Sequence, residues 1–235
     1  MTRPPTLHRP APPAPVVLFL TGPAGCGKTT LAQQWVRHRL QQGDPWTILD
    51  KDLVGGLHGP RLLQALGGDP HDRDSPLFKR EVRDLDYRTT LNLAAAQLEL
   101  GGSVVLPGPW TQELVAGALA DPARLGLPPV PSAVVWMSLS DETRRRRIEQ
   151  RGHPLDQWKL AHWEAYSKGS RNGEPPPCRG PQPELIEAEA PVAAQLAALD
   201  RLVAHQRALA KPAAQDDDRS AWRPPAARAP DCRRL

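Results

Sequence analysis

The chain has 235 residues, 40% of them apolar and 24% charged, with a formal net charge of +4. That size suits one domain with an ordinary core, and so small a charge falls short of the basic face that a nucleic-acid binder gathers. No apolar run is long enough to span a membrane, and the three cysteines stand at no metal-ligand spacing, so neither disulfides nor zinc is expected.

The 28 prolines crowd the two ends. Residues 1–14 read as a disordered arm and 211–235 as a disordered Pro/Arg-rich tail, since such segments bury too little to offset their ordering entropy. The arm lacks the apolar segment of a signal peptide, which predicts a cytoplasmic protein. The folded domain is expected over 15–210.

Val16-Val17-Leu18-Phe19-Leu20 is continuously apolar, as in a strand buried on both faces. Gly22-Pro23-Ala24-Gly25-Cys26-Gly27-Lys28-Thr29-Thr30 follows and matches the phosphate-binding loop pattern G-x-x-x-x-G-K-[ST]. Its glycines let successive amides turn toward a polyphosphate. Lys28 supplies a charge for the β- and γ-phosphates, and the Thr29 hydroxyl is the usual ligand to Mg²⁺. A helix over 28–42 follows, with Leu31, Ala32, Trp35, Val36 and Leu40 at helical spacing. Strand, glycine loop and helix together aim a helix N-terminus at an anion, so the stretch predicts nucleotide binding.

Trp46-Thr47-Ile48-Leu49 reads as a second strand ending in Asp50-Lys51-Asp52. Carboxylates at the carboxyl end of such a strand lie where open α/β sheets gather ligands; as the alternative, Asp52 is a helix N-cap. Residues 53–77 are polar and glycine-rich, with a short helix near 60–66 and a loop holding Arg73, expected to face a substrate. A long helix is predicted over 77–100. Most of its charges are expected to be solvated, but Arg83 and Tyr87 share one face that can look into a pocket.

Ser103-Val104-Val105-Leu106 is the third strand, and Thr111 is placed as the N-cap of a helix to about 120. Residues 133–139 form the fourth strand. Ser140-Asp141-Glu142-Thr143 then opens a helix in which Arg144, Arg147 and Arg151 share a face, with phosphate contact expected for Arg147 and Arg151. A helix over 155–167, a short fifth strand at Leu185-Ile186 and a helix over 191–209 complete the domain.

The whole pattern resembles the kinase-like P-loop proteins of the AAA family, including zeta-toxin-like and chloramphenicol-phosphotransferase-like kinases. The phosphate loop, the Asp-Lys-Asp run, the third strand after Gly101-Gly102 and Arg147-Ile148 to Arg151-Gly152 carry the resemblance. It implies a three-layer α/β/α fold around a five-stranded parallel sheet in the order 2-3-1-4-5, with a helical lid over about 145–183. It also implies an ATP- and Mg²⁺-dependent kinase acting on a hydroxyl of a small molecule such as a nucleoside, sugar or antibiotic.

On that alignment Asp52 is the base, Lys28, Arg147 and Arg151 act on the phosphates, and Asp50, Arg73, Arg83 and Tyr87 are acceptor-side candidates. Two departures stand out. Pro107 occupies a place where many relatives carry Asp, and no acidic residue marks the fourth strand, which argues against a mechanical AAA⁺ ATPase. A sequestering ATP-binding protein and a polynucleotide 5′-hydroxyl kinase remain the alternatives.

Overall fold

A computed structural model describes residues 13–170 and 173–210. The predicted arm (1–14) lies almost wholly, and the tail (211–235) wholly, outside those residues. The chain runs β1 (Val17–Thr21), α1 (Lys28–Gln41), β2 (Trp46–Ile48), α2 (Lys51–Val54), α3 (His58–Ala65), α4 (Pro76–Glu81), α5 (Arg83–Glu99), β3 (Ser103–Pro107) and α6 (Thr111–Val115). It continues through β4 (Ser132–Ser138), α7 (Asp141–Arg151), α8 (Gln157–Ala161), α9 (Trp163–Gly169), β5 (Glu184–Glu187) and α10 (Val192–Leu209). The five strands form one parallel sheet in the order β2-β3-β1-β4-β5.

The central strand explains its own composition. Leu18 and Leu20 face a core shared with Leu31 and Trp35 of α1 and Leu199 and Val203 of α10. Val17 and Phe19 face the opposite core, with Tyr87, Ala94 and Leu98 of α5 and Trp110. A strand covered by helices on both faces has no polar side, so period-two alternation is absent and the run is apolar throughout. Leu63, Phe78 and Val82 make a smaller cluster that seats α3 and α4 beside the main sheet.

Three predicted helices are corrected. The single helix over 77–100 is two, α4 and α5, meeting at Val82 (φ −116°). The two pieces bury different faces: Phe78 and Val82 pack on Leu63, whereas Tyr87, Ala94 and Leu98 pack on the sheet. One straight cylinder cannot serve both. The helix expected to reach 120 stops at Val115, shortly before Gly117 in the left-handed region (φ 70°), and its cap is Trp110 rather than Thr111. The helix over 155–167 is divided at His162 (φ −121°) into α8 and α9, after a short 3₁₀ turn over Pro154–Asp156.

Asp44 locks the end of the sheet remote from the phosphate loop. Its carboxylate accepts from Trp46 Nε1 at 3.0 Å and from Arg207 Nη1 at 2.8 Å, and also pairs with Arg39. Burial alone would raise its pKa; hydrogen bonds from Arg207, Arg39 and Trp46 outweigh this and lower it from 3.8 to about 2. A carboxylate with a depressed folded pKa adds stability that is present above its unfolded value and lost as the pH falls through the folded one. The contribution is about 2 kcal/mol at neutral pH. We expect Asp44→Asn to lose about that much in urea titrations at pH 7 and to match the parent near pH 2, with ATP affinity unchanged. Equal pH dependence in both proteins would remove Asp44 from the stability account.

Candidate active site

The phosphate loop follows β1 at the carboxyl end of the sheet and delivers the chain into α1. Gly22 has φ 134°, and a Cβ there would lie 2.7 Å from the Met137 carbonyl oxygen. Gly25 (φ 85°) passes almost as closely over α7, where a Cβ would meet the Arg144 carbonyl oxygen at 3.0 Å. Both positions therefore exclude side chains for reasons of angle and of space. Lys28 Nζ donates to the carbonyl oxygens of Gly22 (2.9 Å) and Pro23 (2.8 Å), so its ammonium lies directly against the loop.

Asp50 divides the work of the Asp-Lys-Asp run. One oxygen accepts from the Asp52 amide at 2.9 Å and caps α2, while the other accepts from the Thr29 hydroxyl at 2.8 Å. Asp52 thus has no capping task. It sits in the first turn of α2, its side chain 60% exposed, with Lys51 Nζ at 2.6 Å and Arg73 Nη1 at 2.7 Å. Desolvation would raise its pKa, but the charges of Lys51, Arg73 and Lys28 prevail and hold the carboxylate below its usual value. It is ionised at neutral pH and lies within the field of the phosphate-loop lysine.

Behind Asp52 stands an aromatic wall. Trp110 is the one non-glycine residue with positive φ (46°) among the described residues, an unfavourable conformation for a bulky side chain. Its indole is fully buried, donates to the Leu106 carbonyl oxygen at 3.1 Å, and meets Phe19 and Tyr87 edge to face at 5.4 and 4.6 Å. Arg83 lies 4.0 Å over the Tyr87 ring and is held by Glu113 at 3.1 Å. The two acceptor-side candidates are therefore joined, with Tyr87 in the core and Arg83 covering it. Burial of Tyr87 drives its phenol pKa upward.

The arginines of α7 part company. Arg147 Nη1 lies 3.8 Å from the place a Cβ on Gly27 would occupy, beside the phosphate loop. Arg151 is ion-paired with Asp156, Nε to Oδ2 at 2.9 Å. Arg144 is buried completely. It pairs with Asp141, donates to the Ala24 carbonyl oxygen (3.3 Å) and Ser170 Oγ (2.9 Å), and lies 5.6 and 5.7 Å from the Trp163 and Tyr166 rings. The Tyr166 hydroxyl in turn accepts from the Ala24 amide at 3.3 Å. The segment after α7 is thus fastened to the phosphate loop itself.

Sequence reasoning left four contributors unmarked. Arg144 was placed on one face with Arg147 and Arg151 but given no role, Lys51 was noted only as the middle of the Asp-Lys-Asp run, and Asp86 and Glu113 were single charges without a motif. Asp86 is 1% exposed, and burial raises its pKa against the pull of Arg73, Lys51 and His58. A separate depression of about 450 Å³ at the amino end of β4, lined by Ala120, Pro131, Ser132, Gln206 and Leu209, holds no titratable side chain.

Among the described residues no three His, Cys, Asp or Glu groups come together to hold a metal. The adjacent oxygens of Thr29 and Asp50 nevertheless suit Mg²⁺, which takes few protein ligands and completes its shell with phosphate and water.

Strand order, phosphate loop and the carboxylates beside it define a P-loop protein with the fold of the P-loop kinases. A protein-family model described as an AAA domain matches residues 17–171, and the chain belongs to that family. No curated protein matches the sequence.

Three solved structures illustrate the likeness. A candidate kinase from Chloroflexus aurantiacus is 19% identical with a TM-score of 0.58, covering 80% of this chain and 98% of its own. The APS kinase of Mycobacterium tuberculosis, in complex with AMPPNP and APS, is 21% identical with a TM-score of 0.50 over 82% and 99%. A sugar kinase from Janibacter sp. HTCC2649 is 17% identical with a TM-score of 0.52 over 85% and 99%. No helix among the described residues is long and apolar enough to cross a membrane.

Proposed function

We propose that this protein is an ATP-dependent phosphotransferase that moves the γ-phosphoryl group to a hydroxyl of a small molecule. The observation that carries the reading is Asp52, an ionised and solvent-accessible carboxylate, freed from capping by Asp50 and held within the field of Lys28. The kinases that share the fold support it.

In the proposed step the acceptor oxygen bonds to the γ-phosphorus as its proton passes to Asp52. The bond from phosphorus to the β,γ-bridging oxygen breaks, and its electron pair leaves with ADP. Such a transition state disperses charge over the phosphoryl oxygens, so positioning and neutralisation are the protein's main tasks. The amides of Gly22–Thr30 and the Lys28 ammonium hold the β/γ-phosphates, and Arg147 offsets charge from the lid side. Arg151 joins it only by giving up Asp156. Thr29 and Asp50 would hold Mg²⁺, which when bound neutralises charge on the phosphate oxygens.

The test is ATP turnover against a panel of nucleosides, sugars and aminoglycoside-like compounds, with mass detection of the product. One panel member should gain a phosphoryl group and raise ADP release, and Lys28→Ala should lose both transfer and ATP affinity. ADP release that no compound stimulates would overturn the transferase reading in favour of a nucleotide-dependent binder.

A further inference from the structure

Asp86 comes from a helix whose charges were expected to be solvated and Arg73 from a loop expected to face a substrate, and neither side chain is solvated. The Arg73 side chain is 9% exposed and that of Asp86 is 1% exposed. Arg73 Nη1 donates to Asp52 Oδ1 at 2.7 Å and stands 4.0 Å from Asp86 Oδ2. Its second nitrogen, Nη2, lies 3.4 Å from the Gly55 carbonyl oxygen, and the guanidinium rests 5.9 Å over the Phe78 ring. Three elements therefore fix one arginine between two carboxylates, an open one in front and a buried one behind.

The buried partner is the unusual feature. Neither Asp86 oxygen accepts a hydrogen bond within the described protein, although His58 Nε2 stands 3.4 Å away. Burying a carboxylate with its oxygens unbonded is unfavourable, and an apolar residue of similar size would fill the space without that penalty. The backbone is also cut away to admit it, since a Cβ on Gly55 would lie 2.2 Å from Asp86 Oδ1. The fold thus keeps an unfavourable group in place where simple packing would favour replacing it.

We propose that Arg73, backed by Asp86, is a positioning residue for Asp52, holding its carboxylate toward the acceptor hydroxyl before and after proton transfer. The inference rests on reading Asp52 as the acceptor-facing carboxylate. While Asp52 is ionised, Arg73 and Lys51 both donate to its Oδ1 and orient it, which leaves Oδ2 for the acceptor. Once Asp52 has taken the acceptor's proton, its hold on the guanidinium weakens. Asp86, excluded from water and unable to leave, still attracts Arg73 and keeps it from swinging away. The charged groups around Asp52 are then Lys51 on its own helix, Lys28 from the phosphate loop, Arg73 from the loop before α4, and Asp86 from α5.

The test uses the full chain and three variants, Arg73→Met, Arg73→Lys and Asp86→Asn. Crystal structures of parent and Arg73→Met with AMP-PNP should show the Asp52 carboxylate turned from its parental orientation in the variant. With the acceptor that the panel yields, Arg73→Met should lower kcat about 10- to 100-fold with ATP affinity within about twofold, because only a group set for the transition state has been disturbed. Arg73→Lys should recover part of the loss. Asp86→Asn should lower kcat without lowering the melting temperature, an outcome that a purely structural role would not give.

An Asp52 carboxylate unmoved in Arg73→Met, or an undiminished kcat, would overturn the proposal. If the parent phosphorylates nothing, the transferase reading fails separately and the crystal structures still decide the positioning. Should Arg73→Met not fold, the structures and rates of Arg73→Lys and Asp86→Asn decide it by the same criteria.

Discussion

Asp52→Asn is expected to lower phosphoryl transfer by about 10²–10⁴ while ATP affinity stays at the parental level. The amide keeps the shape of the side chain but cannot take the acceptor's proton, and Arg73 and Lys51 lose the anion they both face. Fold stability should change little, because the α2 cap is Asp50 and the Asp52 side chain is mostly exposed. Asp50→Asn is the informative contrast, since it disturbs both the cap and the Thr29 contact.

The pH profile follows from the same charges. Lys51, Arg73 and Lys28 outweigh desolvation and lower the Asp52 pKa, so the acid limb of an activity that needs the carboxylate ionised should lie below that of an ordinary aspartate. Initial rates and nucleotide titrations of parent and variant check both points. Near-normal turnover in Asp52→Asn would remove it as the base.

Arg144→Met should cost about 1–3 kcal/mol, the range for leaving buried polar groups without their partner, because the Asp141 carboxylate is partly exposed. Arg144 is the tie among three segments: Asp141 at the head of α7, the Ala24 carbonyl in the phosphate loop, and Ser170 after α9. Met fills much of the volume but leaves Asp141 and that carbonyl without their donor. Urea titration reads the loss directly. Hydrogen exchange should quicken around Ala24 and over 163–170 together, because one side chain holds both. Quickening confined to α7 would mean that residues 163–170 are fastened by Tyr166 alone. ATP should restore part of the lost stability in either protein, by binding only the folded chain.

The phosphate loop of the candidate site was legible in the sequence. The phosphate loop is contiguous, its glycines and Lys28 are fixed by backbone angles and local chemistry, and the apolar strand before it announces a doubly covered sheet. The Ser140 cap of α7 was legible for the same reason, as Ser140 Oγ accepts from the Thr143 amide. The side proposed for the acceptor was legible only in part. Asp52 and Arg73 could be singled out, but not that one holds the other, since 21 positions separate them.

What the sequence determined by itself was therefore the fold class, the phosphate loop and the run that holds Asp50 and Asp52, all written in periodicity and short motifs. Tertiary structure alone decided which charges are buried. Arg144 and Arg147 are the same residue type in one run, yet one is sealed under Trp163 and Tyr166 and the other lies beside the loop. Val82 ends one helix and begins another because α4 and α5 bury different faces, and Asp86 is enclosed because Gly55 gives up a side chain to make room for it. Burial and pairing depend on what the rest of the chain brings against a residue, and that information is not local.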